Sequence, residues 1–254
     1  MRVALVTGGR GLGRAIAVAL GAAGLGVAVG ARTGAEVDET VAGIRAAGGT
    51  AVAVAVDVTD PASVEAAVAQ AVAALGPIDV LVNNAGIAES APFARTDPAM
   101  WDRHLRVNAT GPYLLARAVL PGMLERRWGR VVNVASVAGL LGAPYVSAYT
   151  ASKHALVGLT RALAAEVAGT GVTVNAICPG FAATDIVWNG ARNVAARTGR
   201  AFEDAVAAMA RLNPGGRLVE PAEVADAALR LVRDDTTNGE AFVLDGTAPL
   251  GRTP

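Results

Sequence analysis

Short apolar runs rich in valine and alanine alternate with longer amphipathic segments along the whole chain. Runs that are apolar at nearly every position are typical of strands buried on both faces of a parallel sheet. They predict seven strands, at 2–7, 25–31, 51–56, 78–83, 130–135, 172–177 and 240–244. Because helical patterns separate these runs, we expect an α/β fold: one doubly wound, mainly parallel sheet with helices on both faces, forming a single domain over residues 1–254.

Three predicted helices begin with an acidic residue followed by proline, at Asp60-Pro61, Asp97-Pro98 and Glu220-Pro221. A carboxylate can cap the free N–H groups of a first helical turn, and proline is tolerated at the first helical position. After Pro61, apolar residues recur every three or four positions until Gly76. This pattern predicts an amphipathic helix between the two residues.

The segment 184–215, between the sixth and seventh predicted strands, is longer than a simple crossover needs to be. In an open α/β sheet, ligands bind beyond the carboxyl ends of the strands, where such an insertion can cover them. We therefore expect a substrate lid at 184–215. The alternative is a longer helical crossover without that role.

Charge and composition exclude several classes of partner. Acidic and basic residues balance to a net charge of zero, so no basic excess favours nucleic acid. One cysteine, Cys178, and two histidines make neither a disulfide framework nor a metal-ligand cluster. The uncharged stretch 15–31 is interrupted by glycines and is shorter than the roughly 20 apolar residues that span a bilayer. We expect a cytoplasmic protein that acts on a small molecule, without nucleic-acid, membrane or metal partners.

The first predicted strand runs into Thr7-Gly8-Gly9-Arg10-Gly11-Leu12-Gly13, after which a helix begins. Glycines let the backbone approach a pyrophosphate, and a helix N-terminus offers unpaired N–H groups and a favourable dipole. Any tight strand–helix turn also favours glycine, and the spacing does not match G-x-G-x-x-G. The position after the first strand of a doubly wound pattern nevertheless favours a nucleotide-binding turn.

Ser136, Tyr149 and Lys153 form the strongest candidate for a catalytic centre. Ser136 follows the fifth predicted strand, and Tyr149 and Lys153 are four residues apart, so they share one face of a helix. A free phenol has a pKa of about 10, and we expect a nearby ammonium to lower it toward neutrality, where proton exchange with a substrate is efficient. Lys153 is also the one lysine among 22 basic residues, which indicates a chemical requirement for a compact ammonium. A surface Tyr-x-x-x-Lys pair is the alternative.

With these motifs in this order, the chain resembles the short-chain dehydrogenase/reductases over essentially its whole length. The likeness covers the glycine loop, Asp57-Val58, Asn83-Asn84-Ala85-Gly86, Asn108 within Val107-Asn108-Ala109-Thr110-Gly111, the Ser136, Tyr149 and Lys153 set, and Pro179-Gly180 with Thr184. The resemblance implies a Rossmann fold and a nicotinamide-dependent oxidoreductase that moves hydride between a carbonyl and a secondary alcohol.

The resemblance also implies roles for single residues. Tyr149 would be the acid/base, Ser136 the donor to the substrate oxygen, and Lys153 the ligand of the cofactor ribose that tunes the pKa of Tyr149. Asn108 would be a fourth catalytic residue that supports a water-linked proton relay. Cofactor contacts are expected at Gly8, Gly11, Leu12, Gly13, Asp57, Val58, Asn84, Ala85, Gly86, Pro179, Gly180 and Thr184, beside Tyr149 and Lys153.

The chain departs from the family pattern at two places. Only Gly9 and Arg10 separate Gly8 from Gly11, where the family usually has three residues, so we expect rerouted backbone N–H groups near the pyrophosphate. Thr247 stands where a second glycine is usual. The shorter loop is the one feature that favours a rival class, a cofactor-binding protein without turnover, and the complete catalytic set argues against it.

Cofactor preference is predicted from the end of the second strand. Sites for NAD usually carry an acidic side chain there, bonded to the ribose hydroxyls, but this chain has Gly30-Ala31-Arg32-Thr33. Arg32 and Arg10 favour a cationic clamp on a 2′-phosphate. We therefore expect NADP(H), with NAD(H) as the alternative cofactor. The alternative for both arginines is that they are ordinary solvated charges.

Residues 152–181 resemble most closely the branch that reduces 3-oxoacyl thioesters, including fatty-acid and polyketide ketoreductases. Several arginines are candidates to meet the phosphates of an acyl-carrier or coenzyme A arm, with solvated surface charges as the alternative: Arg126, Arg127, Arg130, Arg192 and Arg197. Polyol, steroid and other alcohol dehydrogenases share the catalytic residues, so another secondary alcohol stays open as the substrate.

The helical segments 99–125 and 149–168 combine long apolar faces. By the resemblance, these faces pair across subunits into a homodimer or homotetramer. Without that resemblance, they would be expected only to cover the sheet.

Overall fold

The computed structural model describes residues 1–247 and 251–252, and at residues 35, 36, 251 and 252 the backbone alone. It contains the seven predicted strands, each within two residues of its predicted ends: β1 (Val3–Thr7), β2 (Gly26–Ala31), β3 (Thr50–Ala55), β4 (Ile78–Asn83), β5 (Gly129–Val134), β6 (Val172–Pro179) and β7 (Ala241–Leu244). They run parallel in the order β3-β2-β1-β4-β5-β6-β7. The doubly wound sheet is thereby confirmed.

The predicted number of strands is corrected by a short edge strand. Within the described residues the sheet has an eighth strand, β8 (Gly251–Arg252), which pairs antiparallel with β7 through Phe242 and Val243. A strand of two residues is too short to carry an alternating or continuous apolar pattern, so the sequence held no signal for it.

Nine α-helices lie in the described part of the chain: α1 (Gly11–Ala22), α2 (Gly34–Ala46), α3 (Pro61–Leu75), α4 (Pro98–Leu105), α5 (Gly111–Glu125), α6 (Ser147–Glu166), α7 (Asp185–Thr198), α8 (Phe202–Ala210) and α9 (Pro221–Arg233). Side chains of α1, α2 and α9 pack with Ala4 and Val6 on one face of the sheet. Side chains of α3, α5 and α6 pack with Val3 and Leu5 on the other. No helix in these described ranges has both the length and the apolar character needed to cross a membrane.

The three predicted helix starts are formed by the expected caps. The Asp60 carboxylate accepts hydrogen bonds from two backbone N–H groups of the first turn of α3, and Asp97 accepts one from Met100 at the start of α4. Glu220 and Glu223 cap α9 reciprocally. Segment 184–215 contains α7 and α8, joined by an aromatic contact between Trp188 and Phe202 at 6.4 Å.

The carboxyl ends of β1, β4, β5 and β6 lie at one edge of the sheet, because these neighbouring strands are parallel. The residues that follow them are therefore brought together, although Gly8 and Gly180 are 172 positions apart in the chain. They include the glycine loop, Asn84, Ser136 and Gly180. Ligands of open α/β sheets bind at this edge, so we expect the functional site there.

Candidate active site

Thr7 joins the loops that follow β1 and β4. Its hydroxyl accepts hydrogen bonds from the N–H groups of Asn84 and Ala85, both at 3.1 Å, and donates to the carbonyl of Val82 at 3.3 Å. The Asn84 amide donates to the Thr7 carbonyl at 2.8 Å. The structure thus brings the predicted residues Asn84 and Ala85 against the glycine loop. The sequence showed Thr7 only as the start of that loop and gave no sign of this bridging role.

The shortened glycine loop closes into a tight turn. Gly8 has a left-handed backbone (φ +91°), and a Cβ atom there would lie 2.6 Å from Asn84 Nδ2. A Cβ atom on Gly13 would lie 2.0 Å from the carbonyl oxygen of Gly8. Helix α1 begins at Gly11, directly after Arg10. The loop therefore keeps a backbone cradle free of side chains at a helix N-terminus, an arrangement that fits a pyrophosphate.

Asp57 and Arg32 lie near each other beyond the ends of β3 and β2. The Asp57 carboxylate accepts hydrogen bonds from the Thr59 N–H (2.9 Å) and hydroxyl (2.7 Å). These bonds lower the pKa of Asp57, and the charge of Arg32 lowers it further. Val58 is buried against the start of α5 at Gly111. The side chain that directly follows β2, Arg32, is exposed.

Ser136, Tyr149 and Lys153 converge, as the spacing indicated. Ser136 follows β5, is 8% exposed, and accepts a hydrogen bond from the Ala138 N–H at 3.1 Å. Tyr149 and Lys153 are one turn apart on α6, with Lys153 Nζ 5.8 Å from the centre of the Tyr149 ring. Lys153 is buried and donates to the Val134 carbonyl at 2.9 Å. Ser136, Tyr149 and Lys153 are therefore neighbours at the carboxyl edge of the sheet.

The expected lowering of the Tyr149 pKa by Lys153 is not found. Burial raises the pKa of Tyr149, and a hydrogen bond with Ser136 acts in the opposite direction with smaller effect. Burial also lowers the pKa of Lys153, to about 8. The physical reason is desolvation, which disfavours both the phenolate and the ammonium. In this state Tyr149 is a neutral phenol, the form that can donate a proton.

Asn108 lies in a π-helical turn, Arg106–Thr110, between α4 and α5. The fully buried amide donates to the Ile87 carbonyl (2.9 Å) and the Ser152 hydroxyl (3.0 Å) and accepts from the Ile87 N–H (2.9 Å). Ser152 in turn donates to the Tyr149 carbonyl at 2.7 Å. Asn108 therefore links the loop after β4 to the catalytic helix, and Ser152 is a linking residue that the sequence did not reveal.

Gly86 leaves open the space beside Asn108 and Lys153. A Cβ atom on Gly86 would lie 3.2 Å from Asn108 Oδ1 and 3.6 Å from Lys153 Nζ. Within the described residues, Lys153 Nζ donates one hydrogen bond, whereas an ammonium carries three donors. The remaining donors fit the ribose hydroxyls of a nicotinamide cofactor, which is the role that the family resemblance implies for Lys153.

The segment after β6 is fixed by a residue that the sequence did not single out. Pro179 ends β6, and the Gly180 N–H donates to the Leu244 carbonyl at 2.8 Å. A Cβ atom on Gly180 would lie 2.3 Å from Asn213 Oδ1. Asn213 is 3% exposed and binds the N–H (2.8 Å) and carbonyl (2.9 Å) of Phe181. Only its burial, invisible in the sequence, distinguishes it from a surface asparagine.

Thr184 brings the start of the predicted lid to the glycine loop. A Cβ atom on Gly11 would lie 3.4 Å from the Thr184 methyl group. Leu12 packs against the core beneath the loop, and Arg10 is exposed above it. These contacts bring the predicted residues Gly11 and Thr184 together on one side of the cleft.

Three arginines proposed for a phosphate arm lie in the wrong place. Arg130 is at the amino end of β5 and 2% exposed, bonded to the carbonyls of Gly129 and Gly171. Arg126 donates to the carbonyl of Ile78 at the start of β4. These residues and Arg127, which precedes β5, are at the sheet edge opposite Ser136. Their assignment to a substrate arm is therefore wrong, whereas Arg192 and Arg197 lie on α7.

Cys178 is a buried thiol at the end of β6. Its side chain is 0% exposed, and burial raises its pKa to about 11, so it stays protonated at neutral pH. In the described residues, no group of three or more histidine, cysteine, aspartate or glutamate side chains is arranged to hold a metal ion.

A doubly wound parallel sheet with a glycine cradle and a Ser-Tyr-Lys centre at its carboxyl edge defines an oxidoreductase of the dinucleotide-binding class. The model of the short chain dehydrogenase family matches residues 2–195, and the chain belongs to this family.

Its relatives include both reductases and a protein named as inactive. The chain is 40% identical to the monensin polyketide synthase putative ketoacyl reductase of Streptomyces virginiae over 253 residues, which are 98% of this chain and 97% of the relative. It is 43% identical to the inactive 2-(S)-hydroxypropyl-CoM dehydrogenase 2 of Xanthobacter autotrophicus over 218 residues, 85% and 91% of the two chains. A crystal structure of an actinorhodin polyketide ketoreductase variant with NADPH has a TM-score of 0.93 and 38% identity, with 96% of both chains covered. The predicted resemblance to the ketoreductase branch is thereby confirmed.

Proposed function

We propose that this protein reduces the 3-oxo group of an acyl thioester to a 3-hydroxy group, with NADPH as the hydride donor. The observation that carries the proposal is the convergence of Ser136, Tyr149 and Lys153 beside a glycine cradle. Relatives named as ketoacyl reductases support this substrate class.

A bound nicotinamide supplies the hydride, and residues of the chain control the proton. The Ser136 hydroxyl binds the carbonyl oxygen of the substrate and polarises it. Tyr149 donates its phenolic proton to that oxygen as negative charge develops there. Lys153, whose Nζ atom lies 5.8 Å from the centre of the Tyr149 ring, would hold the ribose of the cofactor with its remaining donors.

Arg32 supports a preference for NADP(H). It is exposed directly after β2, and its positive charge lowers the pKa of Asp57. Asp57 is one of the cofactor contacts that the family resemblance implies. A guanidinium is suited to a 2′-phosphate. Asp57 itself is engaged by Thr59.

The predicted lid and the substrate arm belong to the same proposal. The segment 184–215 begins beside the glycine loop at Thr184, and its two helices meet through Trp188 and Phe202. Arg192 lies over the Phe202 ring at 5.9 Å and is exposed. We assign Arg192 and Arg197 to the phosphates of the thioester arm.

The test is NADPH consumption with acetoacetyl-CoA, compared with NADH and with a panel of ketones and polyols. Tyr149→Phe is the control, and it is expected to lose activity about 10²- to 10⁴-fold while it retains cofactor binding. Turnover with a small ketone or polyol alone would refute the thioester substrate. Binding of NADPH without turnover of any substrate would favour the non-catalytic class.

A second candidate is oxidation of a different secondary alcohol. It is favoured by the similarity to a 2-(S)-hydroxypropyl-CoM dehydrogenase, although that relative is named as inactive.

Assembly into a homodimer or homotetramer stays a prediction, and the exposed Tyr113 on α5 (46%) is a candidate contact. Light scattering of the purified protein tests it.

A further inference from the structure

A buried histidine next to Tyr149 is not explained by the mechanism above. His104 is on α4 and is 0% exposed. Its Nδ1 atom lies 2.8 Å from the Met100 carbonyl oxygen, and its Nε2 atom lies 3.0 Å from the Glu89 backbone nitrogen. A carbonyl can only accept and an N–H can only donate, so Nδ1 carries the proton and Nε2 is the acceptor. Two backbone groups thus define one neutral tautomer.

The backbone that His104 binds belongs to a segment without regular secondary structure, residues 85–91, here named the active-site strap. Every second N–H group of the strap donates to a different part of the molecule: Ala85 to Thr7 Oγ1 (3.1 Å), Ile87 to Asn108 Oδ1 (2.9 Å), Glu89 to His104 Nε2 (3.0 Å) and Ala91 to the Tyr145 carbonyl (2.8 Å). Alternate bonding of this kind keeps a chain extended. His104 is therefore one of four anchors of the strap.

His104 also contacts the acid/base itself. Its ring meets the Tyr149 ring edge to face, with centroids 6.4 Å apart and planes at 78°. Such T-shaped contacts are favourable and directional. His104 therefore contacts both the strap and the ring of Tyr149. The strap also carries Gly86, which lies beside Lys153.

We propose that His104 is a positioning residue for the reaction: it holds the active-site strap and the Tyr149 ring in their relative positions. The proposal rests on the proposed function for the reaction that it serves. An apolar side chain in its place would leave the Glu89 N–H without this acceptor. An aliphatic side chain would also remove the edge-to-face contact with the Tyr149 ring.

Three substitutions separate the two contacts. His104→Leu removes both, His104→Gln keeps an acceptor for the Glu89 N–H without an aromatic ring, and His104→Phe keeps the ring without the acceptor. The matched control is His154→Leu, because His154 bonds the Thr150 carbonyl on α6 in the same way but is exposed. Measurements are kcat, KM, the Kd of NADPH and hydrogen exchange of the strap amides.

We expect His104→Leu to lower kcat by about 10- to 100-fold, as small misplacements of reacting groups do, while the Kd of NADPH changes less than about twofold. Exchange at the Glu89 amide is expected to accelerate in His104→Leu and His104→Phe and to stay slow in His104→Gln. His154→Leu is expected to match the wild type in every measurement.

Wild-type kcat and strap exchange in a folded His104→Leu protein would overturn the proposal. If His104→Leu does not fold, equal kcat and equal exchange in His104→Gln, His104→Phe and the wild type would overturn it too. A wild type that turns over no thioester refutes the proposed function instead, and the exchange measurement still tests the anchoring by His104.

Discussion

Gly13→Ala tests whether the shortened glycine loop is a working cofactor cradle. A Cβ atom on Gly13 would lie 2.0 Å from the Gly8 carbonyl oxygen and 2.5 Å from Asn84 Nδ2. The first of these neighbours is backbone, so no change of rotamer can relieve the contact. Either the first turn of α1 or the turn at Gly8 has to move.

The size of the effect follows from these distances. Non-bonded atoms prefer separations of about 3.5 Å, so the Gly13 contact must open by more than ~1 Å. Overpacking of this kind costs about 1–3 kcal/mol, which lowers the Tm of a chain of this length by about 2–10 °C. The atoms that move are those at the predicted pyrophosphate site, so we expect the Kd of NADPH to rise at least about tenfold, equivalent to ~1.4 kcal/mol.

Fluorescence titration with NADPH and thermal unfolding measure both effects. Gly158→Ala on α6 is the matched control, because a Cβ atom there meets nothing within 4 Å. It is expected to keep the wild-type Kd and to gain about 0.5–1 kcal/mol from better helix propensity. A Gly13→Ala protein that binds NADPH with wild-type affinity would refute the cradle, even if its Tm were lower.

Arg32→Ala is expected to weaken NADPH binding about tenfold and NADH binding little, since only NADPH offers a phosphate to the guanidinium. Fluorescence titration checks it against Arg233→Ala, and equal losses for both cofactors would contradict it. Asn213→Ala leaves the Phe181 N–H without its acceptor, although the Phe181 carbonyl keeps its hydrogen bond from the Val219 N–H. It should cost about 1–3 kcal/mol, seen as a lower Tm together with reduced kcat/KM; an unchanged Tm would contradict the assigned role. Burial lowers the pKa of Lys153 from 10.5 to about 8, so the unfolded chain binds more protons between these values and the folded protein gains stability as pH rises through them. Lys153→Met should therefore be more stable relative to wild type at pH 7 than at pH 10, by denaturant unfolding at each pH, and a difference independent of pH would contradict the desolvation.

The strands and helix starts could be predicted from sequence because each depends on local physics. Every residue of β1 is buried, and all of them except Thr7 are apolar, as expected of a strand that is covered on both faces. Asp60 and Asp97 cap the N–H groups of their own helices, within three residues of themselves. Strand β8 has no such local signal, because its two residues depend on pairing with β7.

The centre of the site was equally local, since Tyr149 and Lys153 share a helix face by their spacing. Their pKa values depend instead on how completely residues far away in the chain shield them from solvent. This burial raises the pKa of Tyr149, whereas the sequence predicted that it is lowered. The error over Arg130 had a different cause. Ser136 follows the last residue of β5, so the first residues of this strand lie at the opposite edge of the sheet. The prediction for Arg130 considered its charge and not its position at the start of the strand.

Three of the residues that sequence reasoning missed share one property: their polar side chains bind backbone groups far away in the chain. Thr7 and Asn213 do this, and His104 does so across 15 residues. Such a bond leaves no periodic pattern, because only one partner is a side chain. The active-site strap, which Thr7 and His104 help to hold, has no regular secondary structure of its own, so these bonds replace the hydrogen-bond ladder that would otherwise fix it. It follows that the geometry around Tyr149 depends on anchors from several elements, and that substitution of any one of them should reduce turnover more than it reduces stability.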